Sequence, residues 1–223
     1  LCTHSGDNRD NGQTDWLTAQ NNILTILSGF GLTAETKYYA GHATWQVEAV
    51  KLGTTRPEDI YIIGAHYDSV SCPGADDNAS GTAGVLEAAR VLSQYQFEAT
   101  LVFLAFDREE DGLYGSWDYA NAASARGDNI KGMINLDMIA FNKGTTAVDI
   151  EYFSLTQSSG MLADMENAID AFGDGLGRVE SSAGANSDHY PFEQNGYPSL
   201  LLIEDWGNPY YHTTSDNVDS TYA

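Results

Sequence analysis

Three short apolar runs, each delivering ionisable side chains at its carboxyl end, constrain what this chain can fold into. Ile60-Tyr61-Ile62-Ile63-Gly64-Ala65 leads into His66, and Leu101-Val102-Phe103-Leu104-Ala105-Phe106 leads through Asp107-Arg108 into Glu109-Glu110. Met133-Ile134-Asn135-Leu136 leads into Asp137. Apolar runs of this length, bounded by polar turns, read as strands buried on both faces, as in an α/β sheet. Open α/β sheets bind ligands in the crevice beyond the carboxyl ends of their strands. Ionisable groups at three such ends therefore belong to one place.

The segments between these runs suit helices. Trp16, Leu17, Ile23, Leu24 and Leu27 recur at helical spacing across residues 15–28, and Gly29 and Gly31 end the pattern. Residues 79–93 carry small residues and then Val85, Leu86, Ala89 and Leu92, which with the preceding strand and loop make a βα unit. Residues 116–125 and 158–172 are further helix candidates, and residues 199–203 a further buried strand. Residues 45–52 alternate apolar and polar, as a strand nearer the sheet edge would, and polar residues 3–14 suit an extended arm. Strands alternating with helices predict an α/β sandwich. No internal linker divides the chain, so residues 1–223 are expected to form a single domain.

Ten Lys and Arg stand against 32 Asp and Glu, a formal charge of -22. Such a surface repels phosphate backbones and anionic lipid, so neither nucleic acid nor membrane is an expected partner, and it offers ligands to divalent cations. No apolar stretch reaches transmembrane length, and no basic-then-apolar leader is present. The first residue is Leu1, which suggests a processed or trimmed product; the expectation is a secreted or periplasmic monomer. Cys2 and Cys72 are the only cysteines and are compatible either with one disulfide or with two thiols.

Hydrolysing an unactivated amide needs a hydroxide-like nucleophile, a polarised carbonyl and a proton carrier. Paired zinc ions supply the first two and a nearby carboxylate the third. His66, Asp77, Glu110, Asp137 and His212 are residue types that zinc accepts, in the number a co-catalytic pair needs if Asp77 bridges. Glu109 and Glu110 are adjacent, and on extended backbone they point to opposite sides, so one is expected as a ligand and the other beside the water. Asp68 lies two residues after His66, placed to accept the second N–H of that imidazole and fix its tautomer. Taken singly, each signal also has an ordinary structural reading: a capped loop for His66 and Asp68, a solvated acidic turn for Glu109-Glu110, a helix cap for Asp77, a loop histidine for His212. Asp137, between Leu136 and Met138, is the exception, because burying a carboxylate without a partner is costly.

In combination, six stretches resemble the zinc aminopeptidases typified by secreted bacterial leucyl aminopeptidase. They are Gly64-Ala65-His66-Tyr67-Asp68-Ser69, Pro73-Gly74-Ala75-Asp76-Asp77-Asn78-Ala79-Ser80-Gly81, the run from Phe106 through Glu109-Glu110 to Ser116, Asn135-Leu136-Asp137-Met138, Ser187-Asp188-His189, and Tyr211-His212-Thr213-Thr214. The resemblance implies two zinc ions per chain, one on His66 and Asp137, the other on Glu110 and His212, with Asp77 bridging. It further implies Glu109 as general acid/base, Asp68 as the group orienting His66, peptides with a free N-terminus as substrates, and a three-layer sandwich whose mixed, mostly parallel central sheet lies between helices. His189 is not a ligand in that family, so a structural hydrogen-bonding role near the site is expected; His4 and His42 are expected at the surface.

The sequence also departs from the family pattern. Arg108 stands where a small residue is common, and residues 182–186 lack the tyrosine and cysteines found there in the leucyl-type enzymes. The oxyanion donor is thereby left unassigned. The chain ends at Ala223, soon after His212, which suggests a minimal or trimmed form. Alternative functions are a single-zinc glutaminyl cyclase, a carboxypeptidase on a related fold, and a non-catalytic binding domain derived from the peptidase fold.

Overall fold

The computed structural model describes residues 8–141, 147–152, 154–182, 184–204 and 207–221. Its strands are β1 (Thr33–Tyr39), β2 (Thr44–Lys51), β3 (Arg56–His66), β4 (Ala99–Phe106), β5 (Asn129–Asp137), β6 (Ala147–Tyr152), β7 (Gly177–Ser182) and β8 (Ser199–Ile203). Its helices are α1 (Thr14–Gly29), α2 (Ala79–Leu92), α3 (Tyr114–Arg126), α4 (Leu155–Phe172), α5 (His189–Gln194) and the short α6 (Val218–Thr221). The strands form one sheet in the order β1-β2-β4-β3-β5-β8-β6-β7. Its centre, β4-β3-β5-β8, is parallel, while β2 joins β4 and β6 joins β8 antiparallel. This is the mixed, mostly parallel α/β sheet expected.

Alternation along the central strands sends successive side chains to opposite helical layers. Ala65, Phe103, Ala105 and Leu136 pack with Ala19, Ile23 and Leu27 of α1 and Val85 and Ala89 of α2. Ile62, Val102, Leu104, Phe106 and Met133 pack on the other face with Tyr119, Ala120 and Ala123 of α3 and Phe192 of α5. Leu162 of α4 packs with Ile150 and Leu200, and Leu202, which α4 also covers, touches the first cluster, so α4 lies in the layer of α1 and α2. The chain passes from β3 to β4 through α2 on one face and crosses back to β5 through α3 on the other. That reversal around β3 opens the crevice at the strands' carboxyl ends, where His66 pairs in register with Phe106, and Asp137 with Ile203.

The expected helices and buried strands are all present, with boundaries shifted by a few residues. Elements not foreseen are β1, β6, β7, α5 and α6. Of the expected extended arm, residues 8–13 are described, and Arg9 is buried rather than solvated. Its guanidinium donates to the backbone carbonyls of Tyr67 (2.8 Å) and Gly74 (2.8 Å) and also to that of Pro73, clasping the loop that follows β3. Cys72 lies buried in that loop; Cys2, and with it any pairing between the two, lies outside the described residues, as does His4. Among the described residues no helix is long and apolar enough to cross a membrane.

Two glycines make opposite demands. A Cβ on Gly81, in the first turn of α2, would lie 2.3 Å from the Leu136 carbonyl oxygen and 2.4 Å from Asn78 Oδ1, so helix and strand approach as closely as they do only because it is glycine. A Cβ on Gly160 in α4 would meet nothing within 4 Å. Gly81→Ala is therefore expected to destabilise the fold by about 1–3 kcal/mol, and Gly160→Ala to stabilise it by about 0.5–1 kcal/mol. Denaturant unfolding of both variants, read against the parent, checks the opposite signs.

Candidate metal centre

The sheet and its loops bring together all five residues expected as ligands. Nε2 of His66, the last residue of β3, lies 3.4 Å from Asp77 Oδ1 and 3.5 Å from Asp137 Oδ1. His212 Nε2 lies 3.0 Å from Asp77 Oδ2 and 3.2 Å from Glu110 Oε2. Asp77 thus turns one oxygen toward each imidazole, and each imidazole has a second carboxylate beside it. Glu109 lies on the His66 side, where donor atoms of His66, Glu109 and Asp137 fall within 4.8 Å of one another.

Charge makes this cluster unstable by itself. Burial would raise the Asp77 carboxyl, but hydrogen bonds with His212 and His66 outweigh it and hold that carboxyl far below its usual range. Burial and the neighbouring Asp77 push Glu110 up to about 8. Glu109 is likewise held well above its ordinary value by burial, against the pull of His66. Burial would lower His66, yet the Glu109 and Asp137 carboxylates outweigh it and raise it well above the usual imidazole value. Among the described residues, the ion pairs of Asp77, Glu110 and Asp137 are with these two imidazoles alone. Glu110 Oε1 and Asp137 Oδ1 are buried with no hydrogen-bond partner among the described residues. Buried lone pairs of this kind, on oxygen ligands flanked by imidazole nitrogens, are what divalent cations satisfy, so the residues present fit a metal pair.

The Glu109-Glu110 pair does not lie on extended backbone as expected. β4 ends at Phe106, Arg108 adopts a left-handed conformation (φ 57°), and the Glu109 carbonyl accepts from the N–H groups of Gly112 (2.8 Å) and Leu113 (2.7 Å). The pair sits in a turn entering α3, and the Asp68 carboxylate holds that turn by accepting from Glu109 N–H (3.1 Å) and Glu110 N–H (3.2 Å). His66 Nδ1 faces the backbone carbonyl of Asp68 at 3.2 Å and its Oδ1 at 3.4 Å. Asp68 therefore orients His66 partly through its main chain, while its side chain positions both glutamates.

Several supporting residues were given no role by the sequence, although Asn78 and Ser187 lie in stretches that carry the resemblance. Asp216 accepts from the N–H groups of Asp76 (2.8 Å) and Asp77 (3.1 Å), tying the His212 loop to the Asp77 loop. Asn78 Nδ2 donates to the Leu136 carbonyl (2.8 Å), and Ser187 Oγ donates to Asp137 Oδ2 (2.6 Å). The helix-cap reading of Asp77 does not hold: the cap of α2 is its neighbour Asn78, whose side chain accepts from Gly81 N–H. His189 does not make the hydrogen bonds expected of it: it is fully buried, neither ring nitrogen has a partner among the described residues, and burial pushes its pKa down to about 4. Arg108 is drawn away from the centre, donating to Asp111 (2.7 Å) and to the His42 carbonyl (2.8 Å) and lying over the Tyr114 ring. His42 is exposed as expected, although its ring stacks on Tyr114 and its Nδ1 meets Asp118 at 2.8 Å.

A small pocket of about 40 Å³ opens over the cluster, walled by Asp77, Glu109, Glu110 and Asp137 together with Met138, Asn186, Ile203 and Tyr211. Beside it, sharing Met138, Ile203 and Tyr211, is a second pocket of about 160 Å³ closed by Glu204, Gly207 and Asn208.

The model of Peptidase family M28 matches residues 48–222, nearly the whole of this arrangement. The chain belongs to that family. Among curated relatives, this M28 chain is 36% identical over 171 residues to Aminopeptidase YwaD of Bacillus subtilis, covering 72% of its own length and 36% of that protein. Among solved structures it is similar to BSAP, a zinc aminopeptidase from Bacillus subtilis, with a TM-score of 0.72 and 30% identity over 79% of this chain and 45% of that one. It is also similar to Porphyromonas gingivalis glutaminyl cyclase, with a TM-score of 0.80 and 25% identity over 96% of this chain and 86% of that one. The chain spans about half the length of the curated relatives it matches, between 36% and 60% of the first three.

Two predictions follow from the geometry. Asp68→Ala leaves two backbone donors without their carboxylate, so the variant should lose about 1–3 kcal/mol of stability by denaturant unfolding. The second concerns the metal-free protein. Glu110 is raised to about 8 and His66 is raised from 6.5. A group whose folded pKa lies above its unfolded value contributes stability that is complete below the unfolded pKa and is lost as pH rises through the folded one. Glu110 acts in this direction from about pH 5 to 8 and His66 joins it above about 6.5, so the thermal midpoint of the chelator-treated protein should fall as pH rises across that window, and added divalent metal should restore most at the alkaline end.

Proposed function

We propose that this chain is the catalytic unit of a di-zinc aminopeptidase that removes N-terminal residues from peptides. The observation that carries the reading is Asp77 between two imidazoles, each with a further carboxylate at its side. His66 and Asp137 would hold one zinc, Glu110 and His212 the other, with Asp77 shared. Zinc bound there would lower the pKa of a water toward neutrality and polarise the scissile carbonyl. Family membership and the relatives named as aminopeptidases support the assignment.

Glu109 moves the proton. It sits in the turn held by Asp68, beside His66 and Asp137, and burial leaves its carboxyl readily protonated. It takes the proton released as water oxygen bonds to the carbonyl carbon and hands it to the amine nitrogen as the C–N bond breaks. Asp68 fixes the carboxylate's position and the His66 ring. The neighbouring pocket of about 160 Å³, walled largely by Met138, Ile203 and the Tyr211 ring, suits an apolar first side chain on the substrate.

The similarity to glutaminyl cyclase keeps a single-zinc cyclase as the alternative. Against it stands His212, which together with Glu110 and the second Asp77 oxygen offers a complete second set of ligands.

Two variants test the division of labour. Glu109→Gln should lower turnover of an aminoacyl anilide by about 10²–10⁴-fold with zinc content and thermal midpoint unchanged. Glu110→Gln should lower zinc occupancy first. Full activity in the Glu109 variant, or metal loss from it with none from the Glu110 variant, contradicts the assignment.

A further inference from the structure

Lys and Arg number 10 in this chain against 32 Asp and Glu, so a cavity whose charges balance stands apart from the rest of the surface. One such cavity, of about 470 Å³, lies on the α3 face of the sheet, over β1, β2, β4 and β3 and beside the end of α3. Lys37 and Arg126 line it together with Glu48 and Asp128, two cations against two carboxylates. It is remote from the metal centre. Ile60, in its floor, precedes His66 by six residues of β3, about 20 Å at the usual rise along a strand.

The charges in its walls are already matched to one another. Lys37 Nζ meets Glu48 Oε1 and also Glu35 (3.2 Å), and Arg126 meets Asp128 at 2.6 Å. A lone anion brought here would face Glu48 and Asp128, and a lone cation would face Lys37 and Arg126. A ligand carrying both charges answers all four.

Two polar groups in the walls lack partners. Glu48 is only 5% exposed, and with Oε1 on Lys37 its Oε2 has no hydrogen-bond partner among the described residues. Tyr119 is only 4% exposed, its ring fixed against Phe106, Phe192 and Tyr39, and its hydroxyl likewise has no partner among the described residues. Neither oxygen is sealed in the interior, so both open on the cavity their residues line. Burial, and after it the Glu48 carboxylate, hold Tyr119 well above its ordinary value, so the hydroxyl keeps its proton to donate. Buried groups of this kind gain from a ligand that completes their hydrogen bonds. Val50, Ile60 and Val102 add an apolar floor, in which Val50 and Ile60 are only partly covered.

We propose that this cavity is a second binding site, taking a free α-amino acid with an apolar side chain of medium size. The ligand's carboxylate lies toward Arg126 and the Tyr119 hydroxyl, its ammonium toward Glu48 Oε2, and its side chain on Val50, Ile60 and Val102. A cavity of this volume, mostly preformed and with a few convergent polar groups, is of the size small ligands occupy. The assignment is drawn from these residues alone and does not depend on the reading of the metal centre, although an aminopeptidase would release ligands of this class.

Methyl-labelled, zinc-loaded protein followed by NMR locates the ligand directly, because Val50, Ile60 and Val102 report this cavity and Ile203 the pocket beside the metal centre. Leucine should shift the first three signals saturably at millimolar concentration, along a curve separate from that of Ile203. 4-Methylpentanoate, which lacks the ammonium, and leucinamide, which lacks the carboxylate, should each bind there at least about 10-fold more weakly, and inorganic phosphate should leave the three signals in place. Tyr119→Phe keeps the packed ring, and Arg126→Gln changes a half-exposed side chain, so both variants should fold. Each should weaken leucine at these methyls by about 10-fold, with the response of Ile203 as in the parent. Silent Val50, Ile60 and Val102 signals across the leucine titration overturn the proposal, as does unchanged leucine affinity in either variant. Phosphate or 4-methylpentanoate binding as tightly as leucine would make this an anion site and overturn the amino-acid assignment.

Discussion

The structure depends on Asp77 being shared between His66 and His212. Four carboxylates gathered beyond the ends of parallel strands would repel one another strongly in a partly buried crevice, and burying even one such charge without a partner is costly. The two imidazoles offset that repulsion from opposite sides of Asp77, each also reaching a second carboxylate. The compensation is incomplete, because Glu110 and Glu109 remain raised and oxygens of Glu110 and Asp137 remain buried without donors. A site left with this surplus of negative charge and unsatisfied lone pairs is organised for cations that the side chains do not themselves provide.

Most parts of the centre are held by a polar group acting on backbone. Asp68 accepts from the N–H groups of Glu109 and Glu110, and Asp216 from those of Asp76 and Asp77. Asn78 bonds the Leu136 carbonyl one residue before Asp137, and Ser187 holds the Asp137 carboxylate itself. Strands supply the approximate placement of His66 and Asp137, while these bonds set the loops that bring Glu110, Asp77 and His212 to them. Supports of this kind commonly decide metal affinity and ligand orientation.

The central strands and the ionisable residues gathered beyond their ends were legible in the sequence because a strand buried on both faces must be apolar along its length, and a polar residue ending it stands out. The same logic explains what was hidden. β7 is a mostly exposed edge strand of sequence Gly-Arg-Val-Glu-Ser-Ser, and β6 alternates acidic with apolar residues, so neither carries a buried strand's signature. Asp216 lies among Ser, Asp and Asn residues that suit any turn, and its function arises from an approach to Asp76 and Asp77 across 139–140 residues of sequence. Arg9 stood out in no way from the polar extended arm for the same reason: its partners are backbone carbonyls, which leave no mark in side-chain composition. The Glu109-Glu110 pair reaches the cluster on a backbone other than the extended one expected, since the turn depends on Arg108 in a left-handed conformation and on Asp68, neither of which periodicity reveals.

The central claim is that two ions share Asp77, and zinc titration of the chelator-treated protein tests it most directly. Calorimetry with native mass spectrometry, followed on the same sample by turnover of an aminoacyl anilide, should show two zinc ions per chain, with His212→Ala retaining one and losing activity. One zinc ion per chain at full activity, or unchanged binding of two by the His212 variant, would contradict the account.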